Sequence, residues 1–162
     1  MNPDGYASRE RPLPFDPDIE TDEGPTGKPI RVHLTMHFIL LVAVGGAFGT
    51  AARHVVGDAI GTTSDFPLGT FLINIAGALT LGVLLEALAL NGLDAGHRRR
   101  WRLLLGTGFL GGFTTYSALA VETDALLRSG QVPLALTYAL GTVALGFIAS
   151  IIGIAVARKV TA

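Results

Sequence analysis

Residues 106–122 have the sequence GTGFLGGFTTYSALAVE and lie inside an apolar stretch that runs from Leu103 to Leu127. That stretch is long enough to cross a hydrocarbon core about 30 Å thick as a helix. Paired glycines followed by Thr-Thr and Ser are expected to break the helix at membrane depth, where protein, water or an ion must satisfy the freed backbone groups. The alternative is a glycine-rich packing face whose Thr and Ser side chains bond back to preceding carbonyls.

Three further apolar stretches surround this one, at Phe38–Val56, Leu68–Leu90 and Val132–Val156. Helices of a soluble bundle would carry a polar stripe, which these stretches lack. The composition agrees, with 49% hydrophobic residues, 15% charged residues and 21 glycines in 162 residues. The sequence predicts an all-α membrane protein in which residues 37–162 form four transmembrane helices, the third broken at the Gly-Gly-Phe-Thr-Thr segment 111–115.

The N-terminal segment 1–36 differs in composition from the rest of the chain. It holds seven of the 13 acidic residues and six of the eight prolines, with few bulky apolar side chains. Such a segment buries too little surface to offset the entropy of ordering, so we predict a disordered, acidic, Pro-rich cytoplasmic tail. It lacks the basic and apolar regions of a secretory signal. The absence of cysteine excludes disulfides and thiolate sites.

The basic residues near the spans predict one orientation in the membrane. With a cytoplasmic N-terminus, Arg128 is the one basic residue in an outer loop. The inner side then receives Lys28, Arg31, His97, Arg98, Arg99, Arg100, Arg102, Arg158 and Lys159. This is a strong positive-inside bias, and it places both termini in the cytoplasm of a multi-pass inner (plasma) membrane protein.

Polar groups within spans are costly in lipid and therefore mark candidate functional positions. Arg53 either attracts anions into a vestibule or extends its charge toward the headgroups. Asn74 offers two N–H donors to a desolvated anion, or else links helices. Glu122 is either ion-coupled or bonded to a neighbouring helix, and Glu86 is expected to partner the basic loop.

The fourth span carries Tyr138, Thr142 and Gly146 along one helical stripe, where the two hydroxyls either pass an anion along or form isolated bonds. No nucleotide-binding loop or nucleophile–base pair is present, so an enzyme is not expected. The four histidines lack metal-ligand spacing and are His33, His37, His54 and His97.

Three motifs together resemble the fluoride channel family called Fluc or CrcB. They are G-x-x-G-x-x-x-R at 46–53, G-T-x-x-x-N-x-x-G at 69–77 and G-F-x-G-G-x-T-T-[aromatic]-S at 108–117, the last followed by Glu122. The likeness covers residues 38–157. It implies passive export of fluoride, which relieves fluoride toxicity, through an antiparallel assembly of two subunits with two narrow pores and a structural Na⁺ at their interface.

The resemblance also implies roles for individual residues. Backbone carbonyls of Gly111 and Thr114 would bind the Na⁺, which is structural and not transported. Asn74 would donate to fluoride and Arg53 would shape the vestibule. The implied fluoride pathway as a whole comprises Arg53, Asn74, Thr115, Tyr116, Ser117, Glu122, Tyr138 and Thr142.

The sequence departs from the family pattern at four positions. Tyr116 and Leu119 replace two phenylalanines, Ala118 replaces a threonine, and Gly146 leaves a gap in the hydroxyl stripe. We therefore expect at least one pore of the assembly to be altered. The charge bias further predicts that the partner is a related subunit inserted in the opposite orientation, with a second copy of this chain as the alternative.

Two other functions remain open at the level of sequence. A small multidrug-type exporter would couple transport to protons through a membrane carboxylate in mid-span, whereas Glu86 and Glu122 both lie near span ends. A non-conducting structural subunit of a heterodimeric channel is compatible with the departures at Tyr116, Ala118 and Leu119.

Overall fold

The N-terminal unit contains two short strands that the sequence analysis did not predict. In the computed structural model, β1 (Thr21–Glu23) pairs antiparallel with β2 (Pro29–Arg31), and Thr21 lies opposite Arg31. The described residues are 21–23, 29–31, 36–61, 65–92 and 94–161. The rest of the tail lies outside these residues, so its disorder stays a prediction.

The second unit, residues 36–162, is helical. Its elements are α1 (Met36–Ile60), α2 (Leu68–Leu90), α3 (His97–Trp101), a π-helical segment (Arg102–Leu110), α4 (Gly111–Phe113), α5 (Tyr116–Arg128) and α6 (Val132–Thr161). Within the described residues, four stretches are long and apolar enough to cross a membrane, namely Met36–Ile60, Leu68–Leu90, His97–Arg128 and Val132–Val160. The four predicted transmembrane helices are therefore confirmed, and the second has the bounds that the sequence predicted.

The third span changes conformation along its length. It is α-helical, then π-helical, then α-helical for one turn, and it becomes extended at Thr114 (φ −76°, ψ 158°) and Thr115 (φ −149°, ψ 120°) before α5 begins. Gly111 and Gly112 are helical, so the expectation that both lie in unwound backbone is corrected. Gly112 instead faces the backbone of Gly46, where a Cβ atom would overlap the Gly46 carbonyl oxygen.

Backbone contact also joins α1 to the π-helical segment. A Cβ atom on Gly45 would overlap the carbonyl oxygen of Leu104, and one on Gly49 would overlap that of Phe109. Small residues allow this approach, which supplies dispersion contacts where lipid removes the hydrophobic drive for helix association. The interrupted span is thus held along one side by α1.

The helices α2 and α6 form the second backbone-to-backbone pair. A Cβ atom on Gly82 would overlap the carbonyl oxygen of Ser150, and one on Gly153 would overlap that of Leu79. The Ser150 hydroxyl donates to the carbonyl of Ala78 across the same interface at 3.2 Å. Glycine therefore serves close packing in both pairs of helices.

Few side chains of this unit are buried. A small core joins Leu119, Leu126, Ala135 and Tyr138, and Phe66 packs against it with its ring nearly perpendicular to that of Tyr138. Most large apolar side chains instead face outward, and Phe48 and Phe147 are 67% and 68% exposed. An apolar exterior of this extent matches a chain surrounded by lipid.

Candidate functional site

The interruption of the third span is held by one side chain from α2. The Asn74 carboxamide accepts a hydrogen bond from the Thr115 amide at 2.8 Å and donates one to the Thr115 carbonyl at 3.0 Å. Both backbone groups of an extended residue inside a span are thereby satisfied, as the apolar surroundings demand. Asn74 links two helices, and its second N–H is not used in this pair.

The Thr115 side chain starts the helix that follows. Its hydroxyl oxygen accepts a hydrogen bond from the amide of Ala118 at 3.1 Å and lies 3.2 Å from the hydroxyl of Ser117. A threonine in extended conformation at this position is a favourable N-cap. The Ser117 hydroxyl therefore lies within hydrogen-bond distance of the capping hydroxyl at the start of α5.

These bonds release two backbone carbonyls from the usual helical pattern. In an α-helix the carbonyls of Gly111 and Thr114 would accept from the amides of Thr115 and Ala118, four residues later. Those two amides bond instead to Asn74 and to the Thr115 hydroxyl. The oxygens of Gly111 and Thr114 thus lack their helical donors.

A groove on the surface of the unit runs past the interruption and is lined by α2, the third span and α6. We call it the polar groove, and its volume is about 390 Å³. Six of the predicted residues line it, namely Asn74, Gly111, Thr114, Thr115, Tyr116 and Thr142. The remaining lining is small or apolar and comprises Gly77, Ala78, Leu81, Gly106, Thr107, Leu110, Leu119, Val143, Gly146 and Ser150.

A second cavity, of about 420 Å³, lies on the other side of Thr115, which lines both spaces. We call it the Arg53 cavity. Arg53 lines this cavity, and its Nε–H is buried and has no hydrogen-bond partner within the described residues. Asp58, Asp65 and Glu122 also line the cavity, so carboxylates outnumber the guanidinium. An anion in this space would therefore depend on the unpaired Arg53 donor.

Glu122 is bonded to two other helices. Its carboxylate accepts a hydrogen bond from the Thr70 hydroxyl at 2.8 Å and another from the Tyr138 hydroxyl at 2.5 Å. The two bonds tie α2, α5 and α6 together beside the Arg53 cavity. Of the two interpretations offered by the sequence, this geometry matches bonding to neighbouring helices.

The predicted hydroxyl stripe on α6 is buried rather than open. Tyr138 is fully buried and lies outside both cavities, with its proton directed to Glu122. Thr142 lines the polar groove, but its hydroxyl donates to the Tyr138 carbonyl at 2.6 Å. The hydroxyl protons of Tyr138 and Thr142 therefore already have acceptors within the chain, and Gly146 contributes no hydroxyl.

Two of the positions that depart from the family pattern differ sharply in exposure. Tyr116 is 82% exposed at the edge of the polar groove, whereas Leu119 is only 7% exposed and packs in the small core with Tyr138. Ala118 contributes its amide to the Thr115 cap. Leu119 thus fills core volume in this subunit, while the Tyr116 ring is presented outward.

Sequence reasoning missed Thr70 as a site residue, although it was part of the quoted motif. The spacing Thr70-x-x-x-Asn74 places the two side chains one helical turn apart on α2, where one bonds Glu122 and the other bonds Thr115. That i, i+4 spacing was the available signal. Within the described residues, no group of three or more His, Cys, Asp or Glu side chains is placed to hold a metal ion.

Comparisons with known proteins identify the family. A family profile described as "CrcB-like protein, Camphor Resistance (CrcB)" matches residues 40–154. A relative from Leifsonia xyli subsp. xyli (strain CTCB07), named Fluoride-specific ion channel FluC 2, is 50% identical over 129 residues, 80% of this chain and 89% of the relative.

Two further relatives carry similar names. Fluoride-specific ion channel FluC 1 of Cutibacterium acnes (strain DSM 16379 / KPA171202) is 46% identical over 121 residues, 74% of this chain and 85% of the relative. Fluoride-specific ion channel FluC of Caulobacter sp. (strain K31) is 41% identical over 124 residues, 75% and 95% of the two chains. This multi-pass membrane protein therefore belongs to the CrcB-like family, a family of ion channels and not of enzymes.

Proposed function

We propose that this chain is a subunit of a fluoride-specific ion channel that lets fluoride leave the cell passively. The observation that carries the proposal is the interruption at Thr114 and Thr115, held by Asn74 between the polar groove and the Arg53 cavity. The names of three relatives that are 41% to 50% identical support the identity of the ion.

Fluoride is small and tightly hydrated, so a selective path must replace its water with closely spaced donors. The second N–H of Asn74 is not used in its bonds to Thr115, and the Nε–H of Arg53 has no hydrogen-bond partner among the described residues, so we assign these two donors to the path. Thr115 lines both the polar groove and the Arg53 cavity, so it adjoins the spaces that the two donors line. The Tyr116 ring adds the positive edge of an aromatic quadrupole at the groove.

Passive flow is sufficient for export. A negative-inside potential drives an anion outward with about 2.3 kcal/mol per charge per 100 mV. The chain therefore needs no energy-coupling group, which is consistent with Glu122 being engaged by Thr70 and Tyr138 and Glu86 being paired with Arg158. The proton-coupled exporter would need a carboxylate that carries protons, and these two carboxylates are engaged in other bonds.

A structural Na⁺ fits the oxygens released at the interruption. Hard cations of this kind are bound by unwound backbone carbonyls in membrane proteins. The carbonyls of Gly111 and Thr114 lack their helical donors and line the polar groove, so they are the groups that would hold the ion. Two carbonyls do not complete a coordination shell, which calls for oxygens from a second subunit.

We further propose that the second subunit is a related chain in antiparallel orientation. The Glu86–Arg158 ion pair places the end of α6 beside the end of α2, and the arginine-rich helix α3 follows α2 directly. Basic residues therefore gather at one membrane face, and that bias favours one orientation, with both termini in the cytoplasm. Relatives numbered FluC 1 and FluC 2 are compatible with paired paralogues.

The test is efflux of fluoride and chloride from proteoliposomes that contain this chain, with and without an oppositely inserted related subunit. We expect fluoride efflux far above chloride efflux when the two are combined. Asn74→Asp keeps an acceptor for the Thr115 amide but places a negative charge at the anion path, so it should abolish fluoride efflux. Asn91→Asp is the matched control, because Asn91 lies at the exposed end of α2.

Two results of the efflux assay would contradict the proposal. Robust fluoride efflux from this chain alone would refute the heterodimer, and equal fluoride and chloride efflux would refute the selectivity. A non-conducting structural subunit is a second candidate, favoured by the occupied hydroxyls of Tyr138 and Thr142 and by the buried Leu119. It predicts that Asn74→Asp in this chain leaves efflux through the heterodimer unchanged.

A further inference from the structure

We propose that the start of the third span carries a site for an anionic phospholipid. The site is a groove of about 140 Å³ between α1 and the helix that contains α3 and the π-helical segment. Leu41 of α1 lines one side, and His97, Arg100, Trp101 and Leu104 line the other. The proposal requires that the chain is embedded in a membrane and does not depend on fluoride conduction.

The arginines of α3 and its neighbour divide into two groups by their contacts. Three of them act on the loop between α2 and α3. Arg98 donates to the Asn91 carbonyl at 2.6 Å, Arg99 donates to the Asp94 carbonyl at 3.1 Å, and Arg102 forms an ion pair with the Asp94 carboxylate at 2.5 Å. These three side chains have a structural use that fixes the direction in which α3 leaves the loop.

Arg100 differs from those three in its surroundings. It is exposed, and it faces a groove whose lining includes no acidic side chain among the described residues. His97 lies one turn earlier on the same side of the groove. The groove therefore presents uncompensated positive charge, which is complementary to a lipid phosphate.

The other half of the groove is apolar. Leu41 and Leu104 offer aliphatic contact for the upper part of an acyl chain, and Trp101 is 51% exposed beside them. Tryptophan is enriched at the membrane interface because its ring is apolar while its N–H needs a polar partner. A free phosphate ion would use the charged half alone, so the combination of both halves selects a lipid.

The depth of the groove agrees with this ligand. Arg100 lies three residues before Leu103, where the apolar part of the third span begins. The headgroup of a lipid in the same leaflet therefore reaches Arg100 while its chain passes Leu104. An anionic phospholipid bound in this way would hold α1 against the third span at one membrane face.

The test uses the fluorescence of Trp101, which is the one tryptophan of the chain. The full-length chain is reconstituted in phosphatidylcholine that contains increasing fractions of brominated phosphatidylglycerol, and quenching of Trp101 gives the relative association of the two lipids. We expect phosphatidylglycerol to be preferred about fivefold, the effect of one arginine near an anionic headgroup. Arg100→Gln should reduce the preference to about one, whereas Arg100→Lys should retain most of it.

Lys159→Gln is the matched control. Lys159 is an exposed cation next to Arg158, which reaches Glu86 and so lies at the same membrane face. This variant should keep the preference of the unmodified chain. Equal quenching by brominated phosphatidylglycerol and brominated phosphatidylcholine in the unmodified chain would overturn the proposal. So would an unchanged preference in Arg100→Gln, or displacement of the lipid by inorganic phosphate in solution, which would indicate a simple anion site.

Discussion

The third span and the α2–α6 pair are both rich in glycine, yet only the third span is interrupted. Helices α2 and α6 run unbroken for 23 and 30 residues, although Gly82 and Gly153 lie in their interface. The third span passes through four helical pieces and two extended residues. Glycine therefore marks where backbones approach each other in this protein, and it does not mark where a helix breaks.

The difference between the two regions follows from where hydroxyls and amides find partners. Thr137 and Thr142 of α6 donate to carbonyls four residues earlier, and such bonds leave the helix intact. Thr115 instead caps the next helix with its side chain, and its backbone N–H and C=O both bond to the Asn74 carboxamide. A local bond maintains a helix, whereas a long-range bond provides the extended residue with substitute partners.

The largest effect is expected at the close backbone contacts of both regions. Gly112→Val and Gly153→Val should each lower the free energy of unfolding by about 3 kcal/mol, because the new side chain overlaps a neighbouring carbonyl. Gly141→Ala should change it by less than about 0.5 kcal/mol, since nothing lies within 4 Å of that position. Denaturation in mixed micelles measures all three, and similar values for Gly141→Ala and Gly112→Val would contradict the packing role.

The next largest loss of stability is expected when the Asn74 carboxamide, which bonds the interrupted third span, is removed. Asn74→Ala should cost about 2 kcal/mol, because the Thr115 N–H and C=O lose their partners. Asn91→Ala, which removes an exposed hydrogen bond to the Ala87 carbonyl, should cost less than about 0.5 kcal/mol. Hydrogen exchange at the Thr115 amide provides a local readout, and unchanged protection in Asn74→Ala would show that the interruption does not need Asn74.

A smaller loss is expected from the helix cap. Thr115→Ala should reduce stability by about 1 kcal/mol, since the Ala118 amide loses its acceptor, and Thr115→Ser should restore most of it. Thr80→Ala is the counterpart on the continuous helix α2, where the hydroxyl bonds back to the Ala76 carbonyl. That control should cost under about 0.5 kcal/mol. Equal losses in Thr115→Ala and Thr80→Ala would remove the distinction between the two regions.

The smallest effect should come from the ion pair that closes the α2–α6 interface. Arg158→Gln removes a contact whose side chains are 67% and 16% exposed, so solvent screening should limit the loss to about 0.5 kcal/mol. The loss should shrink further as salt is added to the denaturation assay. A salt-independent loss above 1 kcal/mol would mean that the continuous pair relies on charge as well as on packing.

Much of the fold could be predicted from the sequence because spans are decided by apolar length. The bounds Leu68–Leu90 were predicted as the structure has them. The start of the third span was placed at Leu103 instead of His97, since a hydropathy argument excludes arginines that extend the same helix.

The candidate site was less accessible to sequence reasoning. The structure brings Asn74, Gly111 and Thr142 together along the polar groove, and their roles there stay predictions. The Thr70–Glu122 bond joins residues separated by 52 positions. The burial of Tyr138 likewise depends on how α5 packs against α6, because Leu119 and Leu126 of α5 and Ala135 of α6 form the core with it. Neither contact leaves a periodic signal along one helix.

The sequence by itself determined that the chain has four membrane-spanning helices with basic residues at one face. It does so because transfer free energy and charge are sums over local residues. Only the tertiary structure decided which backbone groups the interruption leaves available. Asn74 reaches across 41 residues to bond the Thr115 amide, which is the helical donor of the Gly111 carbonyl, and the Thr115 hydroxyl bonds the Ala118 amide, which is the helical donor of the Thr114 carbonyl.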